Sequence, residues 1–394
     1  MRILLAFDKF KGALTAAEAC DFAAAALRGR AFPDLSVTLA PLTDGGEGFC
    51  SILSESAGGV VEDYEVADPL GRPARAPIGW IQAASLPTAA LQRIGGSIDE
   101  RVAVIEMASA SGLPMLAMNE RDPWVTTTRG TGELLRRAAE SGADRIVLGV
   151  GGSATNDCGA GALEALGVKF FDQGGREVSG ISPARFAEVD TVDFSGALRL
   201  PPLVIASDVQ SPLLGASGAT HVFGPQKGLV AVEEMERAVE TLATRLAAGS
   251  SYSLDTSQIG MGAAGGIPYG LSSVSHIHLE PGFSLFSDWM GLAEKLGEAD
   301  CIVTGEGKFD RSSLTGKGPV ALIREAVKRK KRVLLLAGAV EEGVPENLAK
   351  EMGRKIDCIP LSQPEWPLQE ALGKTQLRIE EEIVGWVGSL GIQK

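Results

Sequence analysis

The chain has 394 residues, 45% hydrophobic and 22% charged, and a formal net charge of −13. That length can bury one large core or two, two being favoured, and the negative balance makes nucleic acid and anionic membrane poor partners. Cys20, Cys50, Cys158, Cys301 and Cys358 are widely spaced and form no C-x-x-C pair, so free thiols in a reducing, cytoplasmic setting are expected, not disulfides or a zinc site.

Ile3 to Phe7 reads as a buried first strand, too short for the apolar run of a signal peptide. It ends in Asp8-Lys-Phe-Lys-Gly12, and Thr15 with Glu18 predicts a capping box for a helix to about Leu27. Ser36 to Leu42 alternates as a second strand, runs into Thr43-Asp-Gly-Gly-Glu-Gly48, and a helix follows. Val60 to Val66 reads as a third strand. Residues 1–66 therefore predict a β-α-β-α-β unit of a doubly wound parallel sheet. Carboxyl ends of such strands carry ligand sites, and Asp8, Lys9, Lys11, Asp44 and Glu47 stand there.

Asp68-Pro-Leu-Gly-Arg-Pro73 suits a crossing into another domain, and residues 74–101 read as hairpin plus loop. Val102 to Glu106 is a strand. The Thr/Gly-rich loop Arg121 to Gly132 leads into a helix over Glu133 to Ser141. A strand over Arg145 to Val150 then runs into Gly149-Val-Gly-Gly-Ser-Ala-Thr-Asn-Asp-Cys-Gly159, and a small-residue helix leaves at Ala160. Free backbone N–H groups at a helix start favour an anion. Ser153, Thr155 and Asn156 add donors and Asp157 a carboxylate, as a phosphoryl-transfer site needs. A tight connection with a Ser or Asn cap is the plainer alternative for that stretch.

Pro202 to Ser207 is a strand ending at Asp208. Lys227, in Phe223-Gly-Pro-Gln-Lys-Gly228, is placed to reach a phosphate, and Gly262-Ala-Ala-Gly-Gly266 is a further loop for close backbone approach. His276 and His278 share a strand face with no third ligand nearby, which favours a structural role. Cys301 to Thr304 returns to the style of the first strands, followed by Gly305-Glu-Gly-Lys-Phe-Asp310 and Ser312 to Pro319. The basic run Lys328 to Arg332 is a solvated helix end. The expected architecture is α/β: a doubly wound parallel-sheet domain from residues 1–69 and 288–394, a second α/β domain (70–287) inserted in it, and the active site in the cleft between them.

No G-x-x-x-x-G-K-[ST] or G-x-S-x-G is present. Gly149-x-Gly151-x-x-Ala154 resembles a dinucleotide fingerprint, but Gly149 lies within the strand run and Thr-Asn-Asp would crowd a pyrophosphate. What remains is carboxylates (Asp8, Asp44, Asp157, Asp208, Glu306, Asp310) and lysines (Lys9, Lys11, Lys227, Lys308, Lys317) among glycine loops. Carboxylates suit Mg²⁺ and lysines offset phosphate charge, so the pattern reads as an ATP- and Mg²⁺-dependent small-molecule kinase. The competing classes are an NAD-dependent dehydrogenase and a non-catalytic sensor.

Phe7-Asp8-x-Phe10-Lys11-Gly12, Thr43 to Gly48, Pro69-Leu-Gly71, Glu106 to Gly112, Arg121-Asp-Pro, Thr126 to Glu133, Gly151 to Asp157, Asp208-Val, Phe223 to Gly228, Gly262 to Gly266 and Thr304-Gly-Glu-Gly run in one order along the chain, continued by Asp310, Ser313, Gly316, Lys317 and Pro319. In these motifs the sequence resembles the two-domain bacterial glycerate 2-kinase family. The resemblance implies a flavodoxin-like domain with a mixed α/β domain inserted, ATP, Mg²⁺ and D-glycerate, and transfer to the 2-hydroxyl. It further implies that Lys11 and Arg72 hold the substrate carboxylate and that Asp8 or Asp44 orients the hydroxyls. Gly151, Gly152, Ser153, Thr155, Asn156 and Gly265 would contact ATP, and Asp157 or Asp208 would carry Mg²⁺ or act as base. Glu306 and Asp310 would complete the substrate wall, and Lys227 or Lys317 would neutralise developing charge. Lys9 stands where the family usually has Ser, Ser211 where it has Asn and Ser312 where it has Gln; Lys9 adds a long cation to a loop assigned to substrate. A kinase for a related hydroxy acid, or a hydroxy-acid or nucleotide sensor, is the alternative.

Overall fold

A computed structural model describes residues 1–30, 32, 34–315 and 318–390. The N-terminal apolar run forms β1 (Arg2–Phe7), buried at every position after Arg2. In chain order there follow β2 (Ser36–Leu39), β3 (Val60–Ala67), β4 (Pro73–Gln82), β5 (Arg101–Glu106), β6 (Arg145–Gly149), β7 (Lys169–Phe171), β8 (Thr191–Asp193), β9 (Leu203–Ala206), β10 (Ile277–Glu280), β11 (Cys301–Phe309), β12 (Arg332–Val340) and β13 (Asp357–Pro360). The chain divides into two units, Met1–Thr43 with Phe286–Lys394, and Asp44–Leu285.

The first unit holds a parallel sheet in the order β13-β12-β11-β1-β2. Counted along this unit alone, that is the flavodoxin-like order 2-1-3-4-5, and the order reverses between β1 and β11. Apolar residues fill the strands because both faces of such a sheet are covered by helices. The helix Ala16–Gly29 starts with the expected capping box of Thr15 and Glu18 and packs against Leu368–Ser389. Gly318–Lys328 covers β11 and β12. Ile3, Leu5, Phe7, Val303, Leu334 and Ile379 form the core between sheet and helices. Each such side chain contributes about 1.5–3 kcal/mol by leaving water.

The second unit holds a mixed sheet, β10-β9-β6-β5-β4-β3. β10, β9, β6 and β5 are parallel, and β4 and β3 are added antiparallel. Here β3 departs from expectation: it is the edge of this second sheet, not the third strand of the first. Its sequence, Val-Val-Glu-Asp-Tyr-Glu-Val-Ala, is exposed over its first four residues, so neither face is covered there, unlike a strand inside a parallel sheet flanked by helices. Asp68 to Arg72 accordingly closes the β3–β4 hairpin, with Asp68 N–H donating to Arg72 O at 2.7 Å, and is not a crossing between domains. The helix Phe49–Ser56 packs on β3, β4 and β5, which places the division at 43/44 instead of 69/70, and the return at 285/286. The span read as hairpin plus loop is β4, then a helix over Thr88–Arg93. Among the described residues no helix is long and apolar enough to cross a membrane.

Candidate active site

In the first unit Phe7 pairs with Gly305, so Asp8, just past the end of β1, stands beside Glu306 of β11, which continues to pair with β12, at the reversal point, where open α/β sheets bind ligands. Asp8 N–H donates to Gly305 O at 2.8 Å, and the Asp8 carboxylate accepts from Lys9 N–H at 2.7 Å. Lys9 is half-buried and Lys11 exposed beside them. Glu306 is half-buried, and its Oε1 is enclosed with no hydrogen-bond partner. Burial lifts this carboxyl to about 7; a Ser313 hydrogen bond opposes the rise, and Asp8 and Asp310 add to it. Asp310 goes the other way. The Ser312 hydroxyl at 2.5 Å and the Lys308 ammonium at 3.0 Å hold it down to about 2. Two neighbouring carboxyls pushed apart in this manner can divide base and charge-holding roles. Lys317 lies outside the described residues.

In the second unit the loop Thr43 to Gly48 lies on the carboxyl ends of β6 and β9. Gly151 N–H donates to Gly45 O at 2.9 Å. A Cβ on Gly149 would sit 2.5 Å from Gly45 O, and one on Gly151 would sit 2.7 Å from Gly46 Cα. Two glycine motifs far apart in sequence thus meet main chain to main chain, which a side chain at either position would prevent. Asp44 and Asp208 join them: an added Cβ at Gly282 would be 2.6 Å from Asp44 O and 3.5 Å from Asp208 Oδ2. Asp208 Oδ2 accepts from Phe283 N–H at 3.3 Å. Both carboxylates are half-buried, Gly151 is half-buried and Gly152 exposed. Glu106, at the end of β5, is buried and accepts from Cys50 N–H at 3.3 Å.

Mg²⁺ usually takes one or two carboxylates and fills its other positions with water and phosphate oxygens. The Asp208 carboxylate, with the main-chain carbonyl of Asp44 beside it at Gly282, offers oxygens of that kind. No group of three or more His, Cys, Asp and Glu fit to hold a metal occurs among the described residues, so the arrangement differs from an all-protein cage.

Asp157 does not match its expected role. It is fully buried. Oδ2 accepts from Thr128 N–H and Thr128 Oγ1, both at 2.8 Å, and from Gly161 N–H at 3.2 Å; Oδ1 accepts from Gly159 N–H at 3.2 Å. Burial pushes this carboxyl above its ordinary value, against the pull of those hydrogen bonds. The amides at the start of the helix Ala160–Ala165, expected to meet a phosphate, are therefore satisfied within the protein: Ala160 N–H by Asp157 O, Gly161 N–H by Asp157 Oδ2 and Ala162 N–H by Thr128 Oγ1. Thr155 and Asn156 are buried as well. Lys227, expected to reach a phosphate, is buried and donates to Thr155 O at 2.6 Å. Burial lowers its ammonium to about 7, with Asp157 opposing the shift. Gly265 holds this layer from below: its φ is +76°, a Cβ there would lie 2.2 Å from Thr155 O, and Cys158 N–H donates to its carbonyl at 2.9 Å. Only Gly151, Gly152 and the rim of Ser153 remain at the carboxyl edge.

Arg72 is likewise occupied, with Nε 2.5 Å from Asp68 and Nη1 2.6 Å from Glu120. Thr128 was not singled out in the sequence; before a helix it reads as a cap, yet its hydroxyl binds Asp157 and makes no side-chain cap. Ser313, which the sequence offered only as a motif residue after Asp310, bonds Glu306. His278 bonds Glu280 at 2.6 Å and His276 meets the Tyr252 ring edge-on.

Comparison with known proteins gives a consistent picture. The sequence model of the Glycerate kinase family matches residues 3–385. The chain is 36% identical over 346 residues to a glycerate kinase of Bacillus subtilis strain 168, spanning 86% of this chain and 85% of that one. It is 36% identical over 350 residues to a glycerate 2-kinase of Escherichia coli K12, with 87% of each chain covered. A crystal structure from Salmonella typhimurium LT2, of a protein assigned to glycerate kinase 2, superposes with a TM-score of 0.76 at 30% identity, covering 99% of this chain and 98% of that one.

Proposed function

The chain belongs to the glycerate kinase family, and on that premise we propose that it transfers the γ-phosphoryl group of ATP, with Mg²⁺, to the 2-hydroxyl of D-glycerate, releasing ADP and 2-phosphoglycerate. The observation that carries this reading is the family match over residues 3–385. The name glycerate 2-kinase, borne by the Escherichia coli relative, supports the choice of hydroxyl.

Phosphoryl transfer needs positioning and charge neutralisation more than covalent chemistry from the protein. At the carboxyl edge of the second unit, the main-chain N–H of Gly152 and the Ser153 hydroxyl bind phosphate oxygens, while Gly151, its N–H given to Gly45 O, holds the two glycine loops together. Asp208 and Asp44 would hold Mg²⁺, which when bound neutralises charge on the β- and γ-phosphates. At the reversal point of the first unit, Lys11 and Lys9 attract the glycerate carboxylate, a needed local correction in a chain of net charge −13. Asp8 orients a substrate hydroxyl. Asp157 and Lys227 act beneath the surface, fixing the backbone from 155 to 161 on which the glycine loop rests.

The test is ADP release with ATP and Mg²⁺, with and without D-glycerate, and phosphorus NMR of the product. Glycerate-dependent turnover to 2-phosphoglycerate is expected. The 3-phosphate would overturn the choice of hydroxyl. Bound glycerate without turnover would replace the reading by a sensor or by a kinase for another hydroxy acid.

A further inference from the structure

Glu306 stands apart from the other acids of the chain. It follows Gly305 at the reversal point of the parallel sheet, next to Asp8. One of its oxygens is enclosed without a partner while the residue as a whole is half-buried. The groups that face it are the carboxylates of Asp8, from the loop after β1, and Asp310, from the end of β11, together with the Ser313 hydroxyl from the turn that follows. No lysine, arginine or histidine among the described residues pairs with it. Asp310 by contrast is paired with Lys308 and bonded by Ser312, and Asp157 is saturated by four donors. A carboxylate that is poorly solvated and has no cation to hold its charge is a strong proton acceptor.

We propose that Glu306 is the proton acceptor of the reaction, its carboxylate taking the proton of the attacking substrate hydroxyl. This rests on the kinase reading above. As the hydroxyl oxygen forms its bond to the γ-phosphorus and the bond from that phosphorus to the β-bridging oxygen breaks, the hydroxyl proton passes to Glu306. ADP leaves with the electron pair, and the protonated carboxyl then returns its proton to water. Asp8 and Asp310, both acidic neighbours, raise the proton affinity of Glu306, and Ser313 restrains it. A carboxyl near 7 is matched to proton transfer at neutral pH. The active form is the anion, so kcat falls as pH drops below about 7 and levels off above it.

The test uses the full chain with saturating ATP, Mg²⁺ and D-glycerate. Glu306→Gln keeps the shape of the protonated carboxyl and is expected to lose about 100- to 10,000-fold in kcat, with the acid limb of the pH profile abolished and the glycerate dissociation constant within about threefold. Ser313→Ala removes the restraining hydrogen bond and moves the acid limb to higher pH. Asp310→Asn removes a repelling charge and moves it to lower pH. A purely structural role for Glu306 predicts a lowered melting temperature and no such opposed shifts. Retention of kcat within tenfold in Glu306→Gln, survival of its acid limb, or an unmoved limb in both neighbour variants would overturn the proposal. A wild-type chain that does not phosphorylate glycerate would instead overturn the kinase reading, so the two failures are separable.

Discussion

Asp157→Asn separates an internal anchor from a catalytic acid. The buried carboxylate accepts four hydrogen bonds, three on Oδ2 and one on Oδ1. An asparagine can keep one oxygen on the crowded side, facing Thr128 and Gly161. Its amide NH₂ then points at Gly159 N–H, donor against donor. A buried N–H left unmade costs about 1–3 kcal/mol, and the remaining bonds lose their charge assistance. Lys227, whose ammonium feels the Asp157 charge, loses its nearest counter-charge. Relief of the carboxylate's own burial penalty offsets part of this, leaving a net loss of about 3 kcal/mol. For a unit of this size that lowers the melting temperature by about 6–12 °C. Calorimetry measures the melt, and a Mg²⁺ titration of ADP release at 25 °C measures the chemistry. The expected result is a lower melting temperature, kcat within tenfold and a half-saturating Mg²⁺ concentration within threefold. An unchanged melting temperature with a Mg²⁺ requirement raised thirtyfold would refute the anchor and make Asp157 a metal ligand.

Lys227→Met tests the other buried charge. The folded ammonium titrates near 7, below its ordinary 10.5, so the unfolded chain binds more protons between those values. Wild-type stability therefore rises with pH through that window, by up to about 1.4 kcal/mol per pH unit. The stability of wild type relative to the Met variant should increase between pH 6 and pH 9; a pH-independent difference would show an ordinary lysine. Gly151→Ala would put a methyl 2.7 Å from Gly46 Cα, main chain against main chain, and should cost about 1–3 kcal/mol with a loss of at least 100-fold in kcat/KM; near-wild-type kinetics would mean that the two glycine loops do not act together. Arg72→Ala should leave the glycerate KM within threefold, because Asp68 and Glu120 already occupy the guanidinium. A tenfold rise would restore the direct contact with the substrate carboxylate expected from sequence.

Much of the architecture is readable from local pattern. β1 is an apolar run after Arg2 and β11 opens on one at Cys301 to Val303, and Thr15 with Glu18 makes the capping box that the sequence spells out. Return of the same strand-and-glycine style at Cys301 points to one sheet built from both ends of the chain. Period alone does not name a strand's partner. Val60 to Val66 reads as a strand, but nothing in it names its neighbour, and its exposed first half shows an edge strand only once folded. The preceding helix, Phe49–Ser56, already packs on that second sheet, so the chain had left the first unit before the Pro/Gly punctuation at Asp68.

The candidate site was harder to read for a reason of electrostatics. Asp157 and Asp208 follow buried strands and Glu306 stands on the far half of one, so strand position alone does not tell them apart. What separates them is the number of donors each meets after folding. Asp157 meets four and is spent inside the fold, tying Thr128 to the loop and short helix from Gly159 to Gly161. Asp208 makes a bond with Phe283 N–H and lies at a half-open edge beside Asp44, where a hydrated cation fits. Glu306 has an enclosed oxygen with no partner and two like charges near it, which favours the proton over the cation. Donors such as Thr128 and Ser313 reach these acids through tertiary contacts or a turn, not through any spacing in the chain. The same reasoning sorts the lysines: Lys227 is spent on Thr155 O inside the unit, whereas Lys11 is exposed at the reversal point, as the proposed contact of its ammonium with an anionic substrate requires. In a chain with an excess of acid, a lysine serves a substrate where burial has not already assigned its charge to the fold.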